Sequence, residues 1–369
     1  FNGIFSSDSE YLNLINLARV KRISSLEQLD LNEHLSKVER DKLEAIDIEI
    51  KNYKKTYGLI DFTDMLDKFL EKGSISNKLD VVFVDEAQDL SIIQWDVLNK
   101  IEKENSADIW VAGDDDQAIF GWAGADVDSF IDWEANEIPL QQSERVPSQI
   151  QEIALSIINR VQDNRLEKTY KPKKEKGEIF EVINLCDIDM IKGTWLILAR
   201  TNPLLKPISS ILKNKGLFFK TVDGNSIAKN LYEDKLNWDK MRKGETIPEI
   251  QEQRLLEKIK GKPNLDLEWY DAFTNVASAK IDYLRVMLSN GEKINKDPRI
   301  TVSTIHSAKG GEATNVVLFL NQTTNTMKAS KKSVYKQDEE YRVWYVGVTR
   351  TIQNLYLVKC NNKRKEFII

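Results

Sequence analysis

Cysteine and histidine are scarce in this sequence, which has two of each among 369 residues. Two cysteines, Cys186 and Cys360, are too few for a disulfide framework, so a reducing compartment is the default expectation. The same scarcity means that few cysteine and histidine ligands are available for a zinc site. No apolar run approaches the length that spans a bilayer, and no secretory signal is visible. We therefore predict a cytoplasmic protein that has no membrane partner.

The sequence also lacks a strong excess of either charge. It carries 53 Lys and Arg against 58 Asp and Glu, which gives a net charge of −5 and a pI near 5.5. This balance argues against a histone-like protein that binds nucleic acid wholly by electrostatic attraction. It still allows a groove that is lined locally by Lys and Arg with aromatic platforms. The fraction of hydrophobic residues, 41%, is that of an ordinary globular protein. The length of 369 residues is sufficient for two or more domains.

One nucleotide-binding motif is absent. No G-x-x-x-x-G-K-[ST], the loop whose backbone N–H groups cradle nucleotide phosphates, occurs in the chain. The stretch from Asp223 to Lys229 does not fit this pattern. The chain also begins with Phe1 rather than Met. From these two observations we expect a fragment or a processed form.

The most informative segment that is present covers residues 81–89, with the sequence VVFVDEAQD. Its four apolar residues predict a buried strand, and Asp85 and Glu86 follow at the carboxyl end of that strand. Ligands of open α/β sheets bind at the carboxyl ends of the strands. Nucleotide hydrolases use such a pair of acids, one to hold Mg²⁺ and the other to position or deprotonate water. This segment is followed by residues 113–122, which have the sequence GDDDQAIFGW. The two segments together form a highly specific pattern.

Hydrophobic periodicity predicts the organisation of the chain. Residues 1 to about 56 have apolar stripes at helical spacing, and Asp61 is predicted to cap the next helix. Strands at 81–84 and 109–112 flank a helix at 91–104, which is typical of a parallel α/β sheet. A second α/β unit is predicted from strands at 178–184, 194–199, 217–222, 300–304, 315–320 and 354–359 and helices at 147–160, 203–214 and 338–349. Residues 171–177 are predicted to be a polar connector, and residues 224–298 a charged helical insertion.

The order of these segments resembles the UvrD/Rep branch of superfamily 1 DNA helicases, from about Gly58 to the C-terminus. The resemblance implies an α/β fold of two recombinase-like P-loop motor lobes with parallel sheets, each with a mainly helical insertion. In that family ATP lies between the lobes and single-stranded DNA crosses their top. The implied division gives residues 1–57 to a partial insertion of the first lobe and 58–145 to the rest of that lobe. Residues 146–223 and 299–369 form the second lobe, and 224–298 its reduced insertion.

The same resemblance implies roles for residues of the first two segments. Asp85, in a Walker B motif, would hold Mg²⁺, and Glu86 would orient the attacking water. Gln117 would sense the γ-phosphate or its water. Phe120 and Trp122 would offer aromatic faces for base stacking.

Four later segments, residues 140–145, 195–202, 300–312 and 339–350, also resemble motifs of the family. Arg145 and Arg350 would contact the γ-phosphate of ATP, where a planar guanidinium stabilises the charge that develops in the transition state. Glu312 would approach the nucleotide ribose or the lobe interface. The remaining implied DNA contacts are Arg200, Thr304 and His306.

We therefore expect an ATP- and Mg²⁺-dependent DNA helicase or translocase that acts on single-stranded DNA and duplex junctions, in DNA repair or replication. Its setting would be bacterial, viral or nucleoid-associated, and its 3′ to 5′ polarity rests on the resemblance alone. Because the family's phosphate loop lies N-terminal to these motifs, this chain alone is expected to lack ATPase activity. The alternative is a helicase-derived module that binds DNA or protein without ATPase activity. A helicase–nuclease fusion would require a nuclease segment after Ile369.

Overall fold

The computed structural model describes residues 9–32, 37–75 and 78–369, which divide into two compact units. The first unit comprises Phe1–Leu140, Ile158–Thr169 and Ser333–Val343. The second comprises Gln141–Ile157, Tyr170–Lys332 and Trp344–Ile369. Both contain helices and parallel strands, which confirms the predicted α/β class. In the described ranges, every helix is too short or too polar to cross a lipid bilayer.

The first unit combines packed helices with a short parallel sheet. Its elements up to residue 140 are α1 (Glu10–Val20), α2 (Ser25–Asp30), α3 (Arg40–Tyr57), α4 (Phe62–Lys72), β1 (Val81–Val84), α5 (Ile92–Asn105), β2 (Asp108–Val111) and α6 (Val127–Ile131). Leu14, Ile15 and Leu43 are buried together where the first three helices pack. The helical prediction for the start of the chain is thus confirmed, except for residues 1–8 and 33–36, which lie outside the described residues.

Asp61 caps α4, as the sequence predicts. Its Oδ1 accepts the backbone N–H of Asp64, and the Asp64 carboxylate accepts the N–H of Asp61, both at 2.9 Å. This reciprocal arrangement is a capping box. Arg19 of α1 also pairs with Asp61 at 2.7 Å and with Asp64 at 2.5 Å. The cap therefore fixes both the start of α4 and its attachment to α1.

The sheet of the first unit brings two loop segments side by side. β1 and β2 pair in parallel, with Val84 opposite Val111, so their carboxyl ends lie at the same edge. Asp85 therefore lies near the loop that follows Val111. Phe83 is 77% exposed and Trp110 is 53% exposed, with ring centroids 6.3 Å apart. Parallel sheets are normally covered on both faces, so this open aromatic face is unusual.

The second unit is built on a larger sheet. Its elements, together with helix α14 that begins in the first unit, are β3 (Gln142–Pro147), α7 (Ser148–Ile158), β4 (Lys171–Lys173), β5 (Glu178–Val182), β6 (Trp195–Ala199), α8 (Leu205–Asn214), β7 (Phe219–Thr221), β8 (Gly224–Asn225), α9 (Lys229–Arg242), α10 (Glu249–Leu256), α11 (Trp269–Ala272), α12 (Ser278–Ser289), β9 (Ile300–Thr304), β10 (Ala313–Phe319), α13 (Thr324–Ser330), α14 (Val334–Thr349) and β11 (Thr351–Val358). The strand order is β5-β11-β10-β6-β9-β7-β8, parallel except for the β7–β8 pair.

The predicted insertion, residues 224–298, is mainly helical and shares its core with the sheet. Trp238, Phe273 and Met287 of the insertion are buried in one cluster with Ile197 and Val302 of the central strands. Every residue of β6 is buried, as expected for a central parallel strand that is covered on both faces. The insertion therefore stabilises the second unit rather than standing apart from it.

Three short strands were not predicted: β3, β4, and the two-residue β8 at the start of the predicted insertion. β3 covers residues that the sequence suggested only as a motif, and β4 lies in the predicted polar connector. They pair in parallel, with Gln142 opposite Lys171 and Pro147 opposite Lys173. This pairing, together with the unit boundaries, places Arg145 in the second unit, whereas the sequence-based division placed it in the first lobe.

Candidate functional site

The two acids that follow β1 are exposed at the carboxyl end of the strand. Asp85 Oδ1 accepts the backbone N–H of Glu86 at 2.8 Å, which orients the Asp85 carboxylate. Magnesium in nucleotide sites is commonly held by one or two carboxylates together with phosphate oxygens and waters. The exposed carboxylate of Asp85 fits that ligand set, and it could hold the ion there.

Glu86 has an unusual backbone conformation. Its φ of 52° and ψ of 40° lie in the left-handed region, which residues other than glycine seldom adopt. Such a conformation costs about 1–3 kcal/mol and is frequent at functional sites. The side chain is fixed as well, because Gln88 Nε2 donates to Glu86 Oε2 at 2.6 Å. The carboxylate is therefore held in one orientation at the exposed edge of the sheet.

Hydrogen bonds join Glu86 to Gln117. The buried amide of Gln88 donates to Glu86 and accepts the backbone N–H of Asp114 at 3.0 Å. Asp114 Oδ2 in turn accepts from Gln117 Nε2 at 2.8 Å. Two residues to which the sequence assigned catalytic roles thus belong to one continuous chain of contacts within the first unit.

Phe120 and Trp122 lie on the same loop, a few residues after Gln117. Trp122 is 52% exposed, and its ring centroid is 6.3 Å from that of Phe120 in an edge-on arrangement. Gly121, between these two residues, lets the loop approach α14 closely, because a Cβ atom at position 121 would clash with the side chains of Tyr335 and Glu339. The loop is therefore packed against the start of α14 while the Trp122 ring remains accessible for stacking.

We expect Trp122→Ala to weaken single-stranded DNA binding by about 1–3 kcal/mol because one stacking face is lost. Since the ring is half exposed, the melting temperature should change little. Fluorescence anisotropy with a labelled oligonucleotide measures the first quantity and thermal unfolding the second. A large fall in melting temperature with unchanged DNA affinity would instead make Trp122 a structural residue.

Arg145 is paired within the second unit. Its Nε donates to Glu312 Oε2 at 2.6 Å, across 167 positions of sequence. Both side chains are partly exposed, at 33% and 50%. The structure therefore brings together Arg145, which was predicted to contact the γ-phosphate, and Glu312, which was predicted to approach the ribose or the lobe interface.

Arg350 lies at the junction of α14 and β11 and is only 1% exposed. Its Nε donates to the carbonyl oxygen of Val346 at 3.1 Å, and Nη2 donates to Thr349 Oγ1 at 3.3 Å. A buried guanidinium at the end of a helix is held in a defined direction. Its contact with a γ-phosphate stays a prediction.

The three predicted DNA contacts of the second unit lie at the carboxyl ends of β6 and β9, which are adjacent parallel strands. Thr304 is buried, and its hydroxyl donates to Ser307 Oγ at 3.0 Å and accepts the Ser307 N–H at 3.2 Å. Thr304 therefore stabilises the turn that carries His306. Burial, with a smaller contribution from the positive charge of Arg200, lowers the pKa of His306 to about 3. The imidazole is thus neutral at physiological pH.

This shift predicts a loss of stability in acid. The unfolded chain, with an ordinary histidine pKa near 6.5, binds a proton more readily than the folded chain does. The free energy of unfolding should therefore decrease as the pH falls from about 6.5 towards 3. His306→Asn should remove part of this dependence in urea unfolding measured at several pH values. If the free energy of unfolding depends on pH in the same way for the unaltered chain and for His306→Asn, the lowered pKa of His306 is contradicted.

The roles of Gln88 and of the basic residues Arg165 and Lys168 were not predicted from the sequence. Arg165 binds Asp116 through two nitrogens, at 2.7 and 3.1 Å. Lys168 contacts the carboxylates of residues 114–116. The signal that could have found them is the run of three aspartates, two of which are buried, because buried carboxylates require positive partners.

Comparisons with known proteins agree with the sequence motifs. Sequence models of the UvrD/REP helicase N-terminal domain and of the UvrD-like helicase C-terminal domain match residues 4–137 and 225–362. DNA helicase II of Haemophilus influenzae is 32% identical over 145 residues, which cover 35% of this chain and 20% of that protein. A probable DNA helicase II homolog of Rickettsia felis is 22% identical over 433 aligned positions, which cover 83% of this chain and 66% of the relative.

Among solved structures, the helicase nonstructural protein 10 of an arterivirus in complex with DNA covers 82% of this chain and 53% of its own length. Its identity is 12% and its TM-score 0.36. The chain thus spans at most 66% of the curated relatives described here.

Proposed function

Because this chain belongs to the UvrD/Rep family of DNA helicases, we propose that it couples ATP hydrolysis to movement along single-stranded DNA. The observation that carries the proposal lies in the first unit. Glu86 and Gln117 are linked by hydrogen bonds, and Phe120 and Trp122 follow on the loop that bears Gln117. Residues suited to hydrolysis and to base stacking therefore lie on two loops that leave the same edge of one sheet.

In this proposal the first unit supplies the residues that act on water. Asp85 would hold Mg²⁺, which neutralises phosphate charge when it is bound. The Glu86 carboxylate, fixed by Gln88, orients a water molecule and accepts its proton. Gln117 detects the γ-phosphate or that water, and a change in its position would reach Trp122 through the loop.

The second unit would supply positive charge. Arg145 and Arg350 would stabilise the charge that spreads over the transferred phosphoryl group. Glu312 holds the guanidinium of Arg145 in the present structure. We propose that Glu312 releases Arg145 when nucleotide binds and then contacts the ribose or the neighbouring lobe. Arg200 and His306 would bind the DNA backbone. The preference for duplex junctions and the 3′ to 5′ direction are carried over from the family resemblance.

A second candidate is a module that binds DNA without hydrolysing ATP. It is favoured by one observation, namely that no G-x-x-x-x-G-K-[ST] loop occurs in the 369 residues. Without such a loop the β- and γ-phosphates have no cradle. The two candidates share the DNA-binding residues and differ in ATP turnover.

ATPase assays with and without single-stranded DNA separate the candidates. They should be run on the 369-residue chain and on any longer product of the same coding sequence. We expect the 369-residue chain to bind single-stranded DNA with negligible turnover, and a product that contains a phosphate loop to show DNA-stimulated hydrolysis. If a product with that loop binds DNA but hydrolyses no ATP, the second candidate is correct. Failure to bind single-stranded DNA would overturn both.

A further inference from the structure

Lys168 occupies the centre of a cluster of carboxylates in the first unit. Its Nζ lies 2.7 Å from Asp114 Oδ1 and 3.5 Å from Asp116 Oδ2, and it also contacts Asp115 Oδ1. Asp115 and Asp116 are almost fully buried. Carboxylate oxygens of the three aspartates lie within 4.8 Å of one another, a spacing that could hold a metal ion. The ammonium group of Lys168 stands at the position that such a cation would take.

The segment that carries Lys168 is itself firmly held. Asp338 of α14, which is buried, accepts the backbone N–H groups of Gln162 and Asp163 at 2.9–3.1 Å. Arg342, one turn further along α14, donates to the carbonyl oxygen of Asn164 at 2.6 Å. The lysine is therefore fixed from its backbone side by a helix as well as from its ammonium side by the carboxylates.

The charges of the cluster favour a permanent cation. Burial alone would lower the pKa of Lys168, but the carboxylates of Asp114, Asp116 and Asp115 outweigh burial and raise it. Burial raises the pKa of Asp115, and the charge of Lys168 opposes that rise. The carboxylates thus keep Lys168 protonated in a largely buried place.

An unbroken chain of hydrogen bonds leads from Lys168 to the acid at the end of β1. Lys168 binds one oxygen of Asp114, and the other oxygen accepts from Gln117. The backbone N–H of Asp114 donates to Gln88, which donates to Glu86. Asp114 is therefore a branch point, because its carboxylate joins Lys168 to Gln117 and its backbone N–H leads through Gln88 to Glu86.

We propose that Lys168 is a positioning residue for ATP hydrolysis, acting as the resident cation of the Asp114–Asp116 cluster. This inference rests on the proposed function, because it concerns the orientation of Glu86 and Gln117. Lys168 does not contact the reacting atoms in this arrangement. It fixes Asp114, and Asp114 fixes Gln117 directly and Glu86 through Gln88.

The cationic role can be tested on the 369-residue chain without any activity measurement. Lys168→Met removes the charge and keeps an unbranched side chain that is one atom shorter, and Lys103→Met, on the exposed side of α5, is the control. We expect Lys168→Met to melt at a lower temperature than the control in EDTA and to regain stability in millimolar Ca²⁺. Adding Asp115→Asn should abolish the regain. If Lys168→Met melts like the control, or responds to Ca²⁺ as the unaltered chain does, the resident-cation role is wrong.

The positioning role is tested in whichever form of the protein hydrolyses ATP. Lys168→Met should lower kcat by about 10- to 100-fold, as expected when a catalytic group is misplaced, and should leave the KM for ATP nearly unchanged. Lys168→Arg should retain more activity than Lys168→Met. If Lys168→Met does not fold even with Ca²⁺, Asp114→Ala decides, since it removes the carboxylate that joins Lys168 to Gln117. It leaves the backbone N–H that donates to Gln88 and the contacts of Lys168 with Asp115 and Asp116.

The outcomes separate this inference from the proposed function. The positioning role alone is overturned if the unaltered protein hydrolyses ATP and Lys168→Met does so with the same kcat. The same holds for Asp114→Ala where that variant decides. Absence of hydrolysis in every form overturns the proposed function and the positioning role together. In that case Ca²⁺-dependent recovery of Lys168→Met would still establish the resident cation.

Discussion

Arg350→Ala should lower the ATPase rate by about 10³-fold or more in a form of the protein that hydrolyses ATP. The interaction is expected mainly in the transition state, so nucleotide affinity should change less than about tenfold. Lys at this position should rescue poorly, because it restores the charge without the planar fork of donors. Steady-state kinetics and equilibrium nucleotide binding measure the two quantities.

The burial of Arg350 adds a second expected effect. Its guanidinium is bonded to Val346 and Thr349, so its removal should also lower the melting temperature. Rates must therefore be expressed per folded molecule. Arg364→Ala, at an exposed position of the same unit, is the matched control and should change neither quantity. A normal kcat in folded Arg350→Ala would refute the catalytic assignment and leave Arg350 as a structural residue.

Glu86→Gln should lower kcat by about 10²- to 10⁴-fold, because the amide cannot accept a proton from the attacking water. The substitution preserves the shape of the side chain and an oxygen that can accept from Gln88. Stability and nucleotide affinity should therefore be nearly unchanged. Thermal unfolding, nucleotide binding and steady-state ATPase assays together test this expectation.

Glu102→Gln, at an exposed position of α5, provides the control for loss of one carboxylate charge in the same unit. It should hydrolyse ATP at the unaltered rate. If Glu86→Gln is as active as this control, the proton acceptor lies elsewhere and the exposed acids after β1 serve only to bind the metal.

Much of the fold could be predicted because its signals are local. The run VVFV predicted the position of β1, and the Asp61 cap predicted the start of α4. The expected burial of β1 was wrong, because Val81 and Phe83 are exposed. β3 and β4 could not be predicted, because their residues are mostly polar and neither strand has an apolar pattern of its own. Their pairing depends on a partner about 30 positions away, which periodicity within a short window does not detect.

The candidate site likewise contains some contacts that have a local signal in the sequence and others that have none. The closeness of Asp85, Glu86 and Gln117 was predictable, because neighbouring parallel strands end at one edge of a sheet. The pairing of Arg145 with Glu312 joins positions 167 residues apart and has no local signal. Lys168 lies in a polar stretch that looks like an ordinary connector. Arginine is rarely buried, so no pattern in the residues indicated that Arg350 would be enclosed.

The left-handed backbone of Glu86 has a consequence for the evolution and engineering of this chain. Glycine tolerates that conformation without strain, so selection for stability alone would favour glycine at this position. Selection for hydrolysis would retain the acid. Position 86 is therefore a place where the two demands oppose each other, and libraries of this chain that are sorted only by expression or heat resistance should drift there towards inactive sequences.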